Sequence, residues 1–313
     1  MLGRIVERCL RLAAAASLTV AFTIAGSPST SSAGAVVRGS DGRIAFSRLG
    51  TSTDGCCDIY SINPDGTGVR RLTHGGTGNF PAWSPDGREI AYSPDARSSE
   101  AIWVMDADGA HARPVTHPGS GVDLRPAWSP DGKRIAFERE TERAPYVSIW
   151  IVNADGTGAT RLRQGGTEVA WAPSGKRIAF EGYGSLASDG IWVMSLDTGG
   201  LRNIVPGPMG SEHPSWSPDG KLIAFDRGRQ DSATLGPAGI WVIHPNGTGL
   251  RRIARGRDWD PTWSPDGSRI AFAKGRSGFG KIWTIGAHGN GPREVTWLAD
   301  APDSHPDWQP LHR

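Results

Sequence analysis

The chain has 313 residues, enough for one large domain or two ordinary ones, and is rich in Gly (43), Pro (23) and Trp (13). Glycine and proline punctuate turns and tryptophan fills cores, so the composition points to many short strands joined by tight turns. Lysine plus arginine (34) nearly balance aspartate plus glutamate (32), which argues against a nucleic-acid-binding or anionic-membrane surface.

The first 35 residues stand apart. Arg4, Arg8 and Arg11 form a basic start, LAAAASLTVAFTIAG (Leu12–Gly26) is an apolar run, and small residues lead to a candidate small-x-small cleavage site at Ala33–Ala35. This is the pattern of a secretory signal peptide over residues 1–35, with an uncleaved anchor as the alternative. The apolar run is shorter than the ~20 residues that span a bilayer comfortably. No Cys follows it, so a lipoprotein cleavage box is absent. Without this segment the chain carries 31 basic and 31 acidic residues and is formally neutral.

Residues 36–313 read as one repeat domain. SDGRIAFSR (Ser40–Arg48) alternates as a half-buried strand does. The adjacent Cys56 and Cys57 follow, read as two loop cysteines or a vicinal bridge, since a bond between neighbours closes only a tiny strained ring. IYSIN from Ile59 is a third-strand run, and NPDGTG turns the chain. From Trp83 the chain spells WSPDGREIAY, and close copies begin at Trp128, Trp171, Trp216 and Trp263. A sixth anchor, Trp308, ends the series, at spacings of 45, 43, 45, 47 and 45. A period of this size fits a four-stranded propeller blade.

The unit near Arg125 shows the grammar. RPAWSP is the first strand and SPDG the turn, with Pro pre-setting φ and Gly relaxing the backbone. RIAFER is the second strand, IWIVNA (Ile149–Ala154) the third, DGTG the next turn and ATRLR the fourth. One such meander cannot bury both faces alone, so neighbouring blades must cover it. The chain enters on a second strand and leaves on a first strand, HPDWQP (His305–Pro310). The expected fold is therefore an all-β, six-bladed β-propeller of four-stranded antiparallel blades, closed by pairing of C-terminal and N-terminal strands in one blade.

WSPDG(K/R)xIAF followed by IW(V/I)M and DGTG resembles the TolB-like (WD40-like) propeller repeat, over nearly the whole chain after the signal. The Gly-His and Trp-Asp marks of the WD repeat are missing. The family pattern also places an α/β domain before the propeller, and here only a few residues separate the expected signal from the first strand. The resemblance thus implies the propeller and not membership of a Tol system.

Strand alternation puts the SPDG and DGTG turns on one face of the disc. The opposite face carries links of varied length, including SRLGTSTDGCCD (Ser47–Asp58), SPDARSSEA (Ser93–Ala101), Arg139–Ser148, GYGSLASDG (Gly182–Gly190) and GRQDSATLGPAG (Gly228–Gly239). Specificity is expected there, since varied loops on a rigid scaffold carry binding. The residue three before each anchor Trp forms a candidate ring at the channel mouth: Phe80, Arg125, Glu168, His213, Asp260 and His305. These side chains either cap the local backbone or form a polar binding site. A metal site would need His213, Asp260, His305 and Glu168 to converge. Eleven Trp fill repeat slots and are expected in the core; Trp259 and Trp297 fall in links before a first strand and are candidate surface platforms.

Other motifs are decoys. DADGAH (Asp106–His111), NPDGTG and NADGTG lack the distal Glu and helices of a calcium loop. GRSGFGKI (Gly275–Ile282) imitates a phosphate loop but leads into a strand and has Ile282 where Ser/Thr is required. Neither a G-x-S-x-G elbow nor an H-E-x-x-H motif is present, and no motif implies a cofactor. The leading expectation is an exported, non-enzymatic, monomeric scaffold that binds a protein or peptide in the cell envelope, touching membrane only through its N-terminal segment. Two alternatives stay open: a hydrolase or lyase with a polar or metal-assisted site at the mouth, and binding of cell-wall glycan on Trp259 and Trp297.

Overall fold

The structure is a computed structural model and describes residues 42–50, 57–94, 100–142, 146–182, 189–206, 210–228, 238–276, 279–297 and 301–310. The expected signal segment and Cys56 lie outside the described residues. Six four-stranded antiparallel sheets form a six-bladed β-propeller. The innermost strands are β4 (Asn79–Trp83), β8 (Val122–Trp128), β12 (Thr167–Trp171), β16 (Ser211–Trp216), β20 (Asp258–Trp263) and β24 (Asp303–Trp308). The second strands are β1 (Ile44–Leu49), β5 (Glu89–Ser93), β9 (Arg134–Glu140), β13 (Arg177–Gly182), β17 (Ile223–Arg227) and β21 (Arg269–Arg276). Third come β2 (Cys57–Ile62), β6 (Trp103–Asp106), β10 (Val147–Asn153), β14 (Gly190–Ser195), β18 (Gly239–Ile243) and β22 (Phe279–Gly286). The outer strands are β3 (Arg70–Arg71), β7 (Arg113–Pro114), β11 (Thr160–Gln164), β15 (Leu201–Pro206), β19 (Arg251–Arg252) and β23 (Arg293–Glu294).

The ring closes as the repeat count requires. β24 pairs antiparallel with β1, placing Trp308 opposite Ile44 and Asp303 opposite Arg48. Gln309 N donates to Arg43 O (2.7 Å) and Leu49 N to Pro302 O (3.0 Å), extending the seam at both ends. Inside it, Arg48 grips Asp303 with two guanidinium bonds, Nε–Oδ1 at 2.6 Å and Nη2–Oδ2 at 3.1 Å, both groups buried. Such a fork fixes register as well as charge. The same inner-to-second-strand pair recurs as Arg139–Asp123 and Lys274–Asp258.

The core lies between blades. The I-A-F phenylalanines Phe46, Phe137, Phe180, Phe225 and Phe272 are fully buried, and each blade's second and third strands pack on the next blade's anchor Trp. Ala224, Ile240 and Val242, for example, meet Trp263, Ile270 and Phe272. This is how sheets too small to cover themselves bury both faces. The first five anchor Trp are each followed by the expected turn, as where Gly87 takes φ 67°, a value cheap only for glycine.

Two expectations need correction. The third-strand tryptophans Trp103, Trp150, Trp192, Trp241 and Trp283 are only half-buried. They stand toward the rim, where cations cover several of their faces: Arg139 lies 4.4 Å from the Trp150 ring centre, and Arg227 and Arg252 lie 5.7 and 5.6 Å from that of Trp241. Cys57 is a buried residue opening strand β2, not a loop residue.

Candidate functional site: a closed polar ring in the channel

Every inner strand carries a β-bulge at the same place. Pairing with the second strand shifts register between Asn79 and Ala82, Leu124 and Ala127, Thr167 and Ala170, Glu212 and Ser215, and Trp259 and Thr262. In the closing blade the shift falls between Ala45 and Ser47, opposite Asp307 and Ser304. The residue at each bulge is the one three before the anchor Trp, and all six have left-handed φ: Phe80 53°, Arg125 51°, Glu168 56°, His213 51°, Asp260 54° and His305 50°. A following Pro, or Val169 in one blade, suits a bulge, where no ladder donor is needed. Left-handed backbone costs a non-glycine residue about 1–2 kcal/mol. A chain with 43 glycines places none at these six positions, so the side chains are what the fold retains.

All six expected ring residues come together, and they touch in a complete circuit. The Arg125 guanidinium lies over Phe80, 4.6 Å from its centroid, and Arg125 Nε is 3.5 Å from Glu168 Oε1. Glu168 Oε1 meets His213 Nε2 at 3.0 Å, which also meets Asp260 Oδ1 at 2.8 Å. Asp260 Oδ2 is 3.5 Å from His305 Nε2, and the His305 ring stands edge-on to Phe80 at 4.3 Å. The bulges also free main-chain donors toward neighbouring blades: His213 N donates to Glu168 Oε2 (2.7 Å) and His305 N to Asp260 Oδ2 (3.1 Å). Capping and site-building, which the sequence left as alternatives, are therefore done by the same carboxylates.

A second tier stands behind the ring, and sequence reasoning missed it. It is the residue directly after I-A-[FY] in each second strand: Ser47, Ser93, Glu138, Glu181, Asp226 and Ala273. Ser47 and Ser93 accept the Phe80 and Arg125 main-chain N–H groups, each at 3.1 Å. Glu138 pairs with Arg125, and Asp226 Oδ1 meets His213 Nδ1 at 2.7 Å. The signal was a polar side chain directly after the apolar I-A-[FY] run in five of the six second strands.

Charge inside this site is strongly coupled. Burial works to discharge His213, but Asp260, Glu168 and Asp226 around it raise it well above its usual value, so it is an imidazolium at neutral pH. Burial also works to protonate Glu168, yet His213 and Arg125 hold it down to about 2. Asp226 is pushed up to about 6 by burial against the pull of His213. Glu181 rises to about 8, from burial first and then from the Glu168 and Glu212 charges. The cavity, about 350 Å³, is lined by the ring and by the side chains two positions on: Ala82, Ala127, Ala170, Ser215, Thr262 and Asp307. Asp307 is the one carboxylate of that lower layer; burial lifts it to about 6, while it accepts Trp83 N–H (2.7 Å) and the Thr262 hydroxyl (3.1 Å).

The two tryptophan candidates separate. Trp297 is 69% exposed, between β23 and β24. Trp259 is not a surface platform: it lies within β20, is 3% exposed, and packs with Phe46, Ala273, Ile282 and Trp308. The bulge turns Asp260 into the channel and leaves the side chain before it between the blades.

A small propeller with a belt of ionisable side chains across its channel is the class this architecture defines. Comparison with known proteins narrows it. The TolB beta propeller domain family matches residues 38–168, 75–236 and 167–312, and the chain belongs to that family. The Tol-Pal system protein TolB of Rhizorhabdus wittichii is 36% identical over 75 residues, 23% of this chain and 17% of the relative, so the match spans a small part of that protein. TolB from Acinetobacter baumannii superposes with a TM-score of 0.72 at 19% identity, covering 86% of this chain and 67% of the other. An oligogalacturonate lyase from Vibrio parahaemolyticus shares the fold at TM-score 0.54 and 12% identity, over 77% and 71% of the two chains.

Proposed function

We propose that this chain is an exported, non-enzymatic scaffold that binds a protein or peptide of the cell envelope at the face carrying the varied links, with the ring at the centre of the contact. Residues 1–35 act as its export signal and residues 36–313 form the binding domain. The observation that carries the reading is the charge balance of the ring and the tier behind it. Glu168, Asp260 and Asp307 line the cavity and Glu138 and Asp226 are buried behind it, against the cations Arg125 and His213, so carboxylates are in the majority. A lysine or arginine side chain of the partner, inserted from the mouth, would supply the missing charge in a setting where charge-assisted bonds are strong.

The relatives' name, Tol-Pal system protein, supports an envelope assembly of several proteins. The lyase-like neighbour raises a catalytic reading, but His213 is held as an imidazolium by three carboxylates and is poorly placed to accept a proton. The test is capture of envelope proteins on the immobilised chain. We expect a partner whose retention falls as salt is raised, as exposed charge contacts do, and which the Asp260→Asn variant loses. Equal recovery by the wild type and by Asp260→Asn at all salt concentrations would count against this function.

A further inference from the structure

One flank of the ring carries a second arrangement that partner binding does not explain. Glu212 and His213 are consecutive in β16, and Asp226 faces them from β17, where Glu212 is its cross-strand partner. One ligand-type atom from each of the three lies within 4.8 Å of those of the other two. The set mixes one imidazole nitrogen with two carboxylates. Asp226 is fully buried, and its Oδ2 makes no hydrogen bond with any described residue. A buried ionisable oxygen left without a partner is costly unless something else occupies it.

The surroundings match what a metal-bound histidine requires. His213 presents Nδ1 to Asp226 at 2.7 Å, while its other nitrogen, Nε2, is fixed by Glu168 at 3.0 Å and Asp260 at 2.8 Å. Carboxylates on the far nitrogen set the tautomer of a ligating imidazole and raise its basicity. The bulge at His213, φ 51°, is what turns Glu212 and His213 toward one neighbour, breaking strand alternation. This differs from convergence of His213, Asp260, His305 and Glu168 on one ion. Here Asp260 and Glu168 bind the ring nitrogen away from the metal, and His305 takes no part.

From this geometry we propose that Glu212, His213 Nδ1 and Asp226 bind one divalent first-row transition-metal ion, of the Zn²⁺ or Mn²⁺ kind, at the flank of the channel mouth. An imidazole in the set favours such an ion over Ca²⁺ or Mg²⁺, which prefer all-oxygen shells. Binding would replace the proton on Nδ1 and give Asp226 Oδ2 a partner. The inference does not rest on the protein-partner reading, although it shares His213 and Asp226 with it, since metal uptake is read on the chain alone.

The test uses the purified full chain, stripped of metal and titrated with Zn²⁺ and with Mn²⁺ by calorimetry. Metal content is read by elemental analysis, and Co²⁺ is added as a visible-absorption probe of the ligand set. We expect one ion per chain and a Co²⁺ spectrum that changes in His213→Ala. Glu212→Gln should weaken binding at least tenfold, and Asp260→Asn, which alters the histidine's support and none of the three ligands, about 10–100-fold. Glu212 is half-buried, so its variant should keep the far-ultraviolet spectrum of the wild type and stay informative even where Asp226→Asn does not fold. Failure of the stripped chain to take up either ion would overturn the site. Unchanged affinity in folded Glu212→Gln, or displacement by an equal concentration of Ca²⁺, would do the same.

Discussion

Replacing Asp303 by Ala should open the propeller at its seam. The Asp303 side chain is fully buried and Arg48 is 7% exposed at its side chain, with bonds of 2.6 and 3.1 Å between them. Removing the carboxylate strands a guanidinium that cannot easily swing into water, because it is packed 4.7 Å from the Tyr60 ring centre and 5.1 Å from that of Phe46. Breaking a buried pair by removing one partner costs about 3–5 kcal/mol. The equivalent Asp258→Ala should cost less, since the Lys274 side chain is 37% exposed and can rehydrate its ammonium. The two also differ in reach: Asp258 and Lys274 belong to one hairpin, whereas Arg48 and Asp303 are 255 residues apart. Urea unfolding of both variants gives the ranking, and hydrogen exchange should show protection lost first in β1 and β24 in Asp303→Ala. The double variant Arg48→Met with Asp303→Leu should recover most of the loss, because it leaves no charge behind. A cost below about 1 kcal/mol for Asp303→Ala, the range of an exposed pair, would refute the argument, as would an Asp258→Ala penalty larger than that of Asp303→Ala.

Two further predictions follow from burial and charge. Glu181 has a folded pKa of about 8 against an ordinary 4.5, so its contribution is fully present below pH 4.5 and is lost as pH rises through 8. Asp226, raised from 3.8 to about 6, and His213, raised above 6.5, lose stability in the same direction. Glu181→Gln should therefore flatten the decline of stability with rising pH and stabilise the protein at alkaline pH by up to about 5 kcal/mol, as read by unfolding at a series of pH values; a parallel pH profile would reject this. Trp259→Ala should cost roughly 3–5 kcal/mol, while Trp297→Ala should stay within about 0.5 kcal/mol, and thermal unfolding of the pair distinguishes the core tryptophan from the surface one.

Much of this was readable before any coordinates. The six anchor Trp and six I-A-[FY] runs, with three strands of one blade at the start of the ring and its fourth at the end, fix the blade number and the closing strand pair, because equivalent letters at a constant period must fill equivalent places. Counting three back from each anchor Trp also picked out all six ring residues. What it could not supply was their conformation. Strict alternation assigns a side chain to a face by parity, and the bulge inserts one residue at that point, so parity fails where the site begins. Trp259 is the clearest casualty: it looked like a link residue and is instead wedged between two blades.

Sequence by itself determined which positions are equivalent, and so the number of blades, the seam and the membership of the ring. Only the tertiary structure decided that Glu168, His213 and Asp260, some 45 residues apart in turn, share hydrogen bonds, and that Asp226 reaches His213 from behind. Periodicity ranks residues by place in the repeat, whereas contacts across the channel, and the protonation states they impose, exist only once the strands are arranged around a common axis.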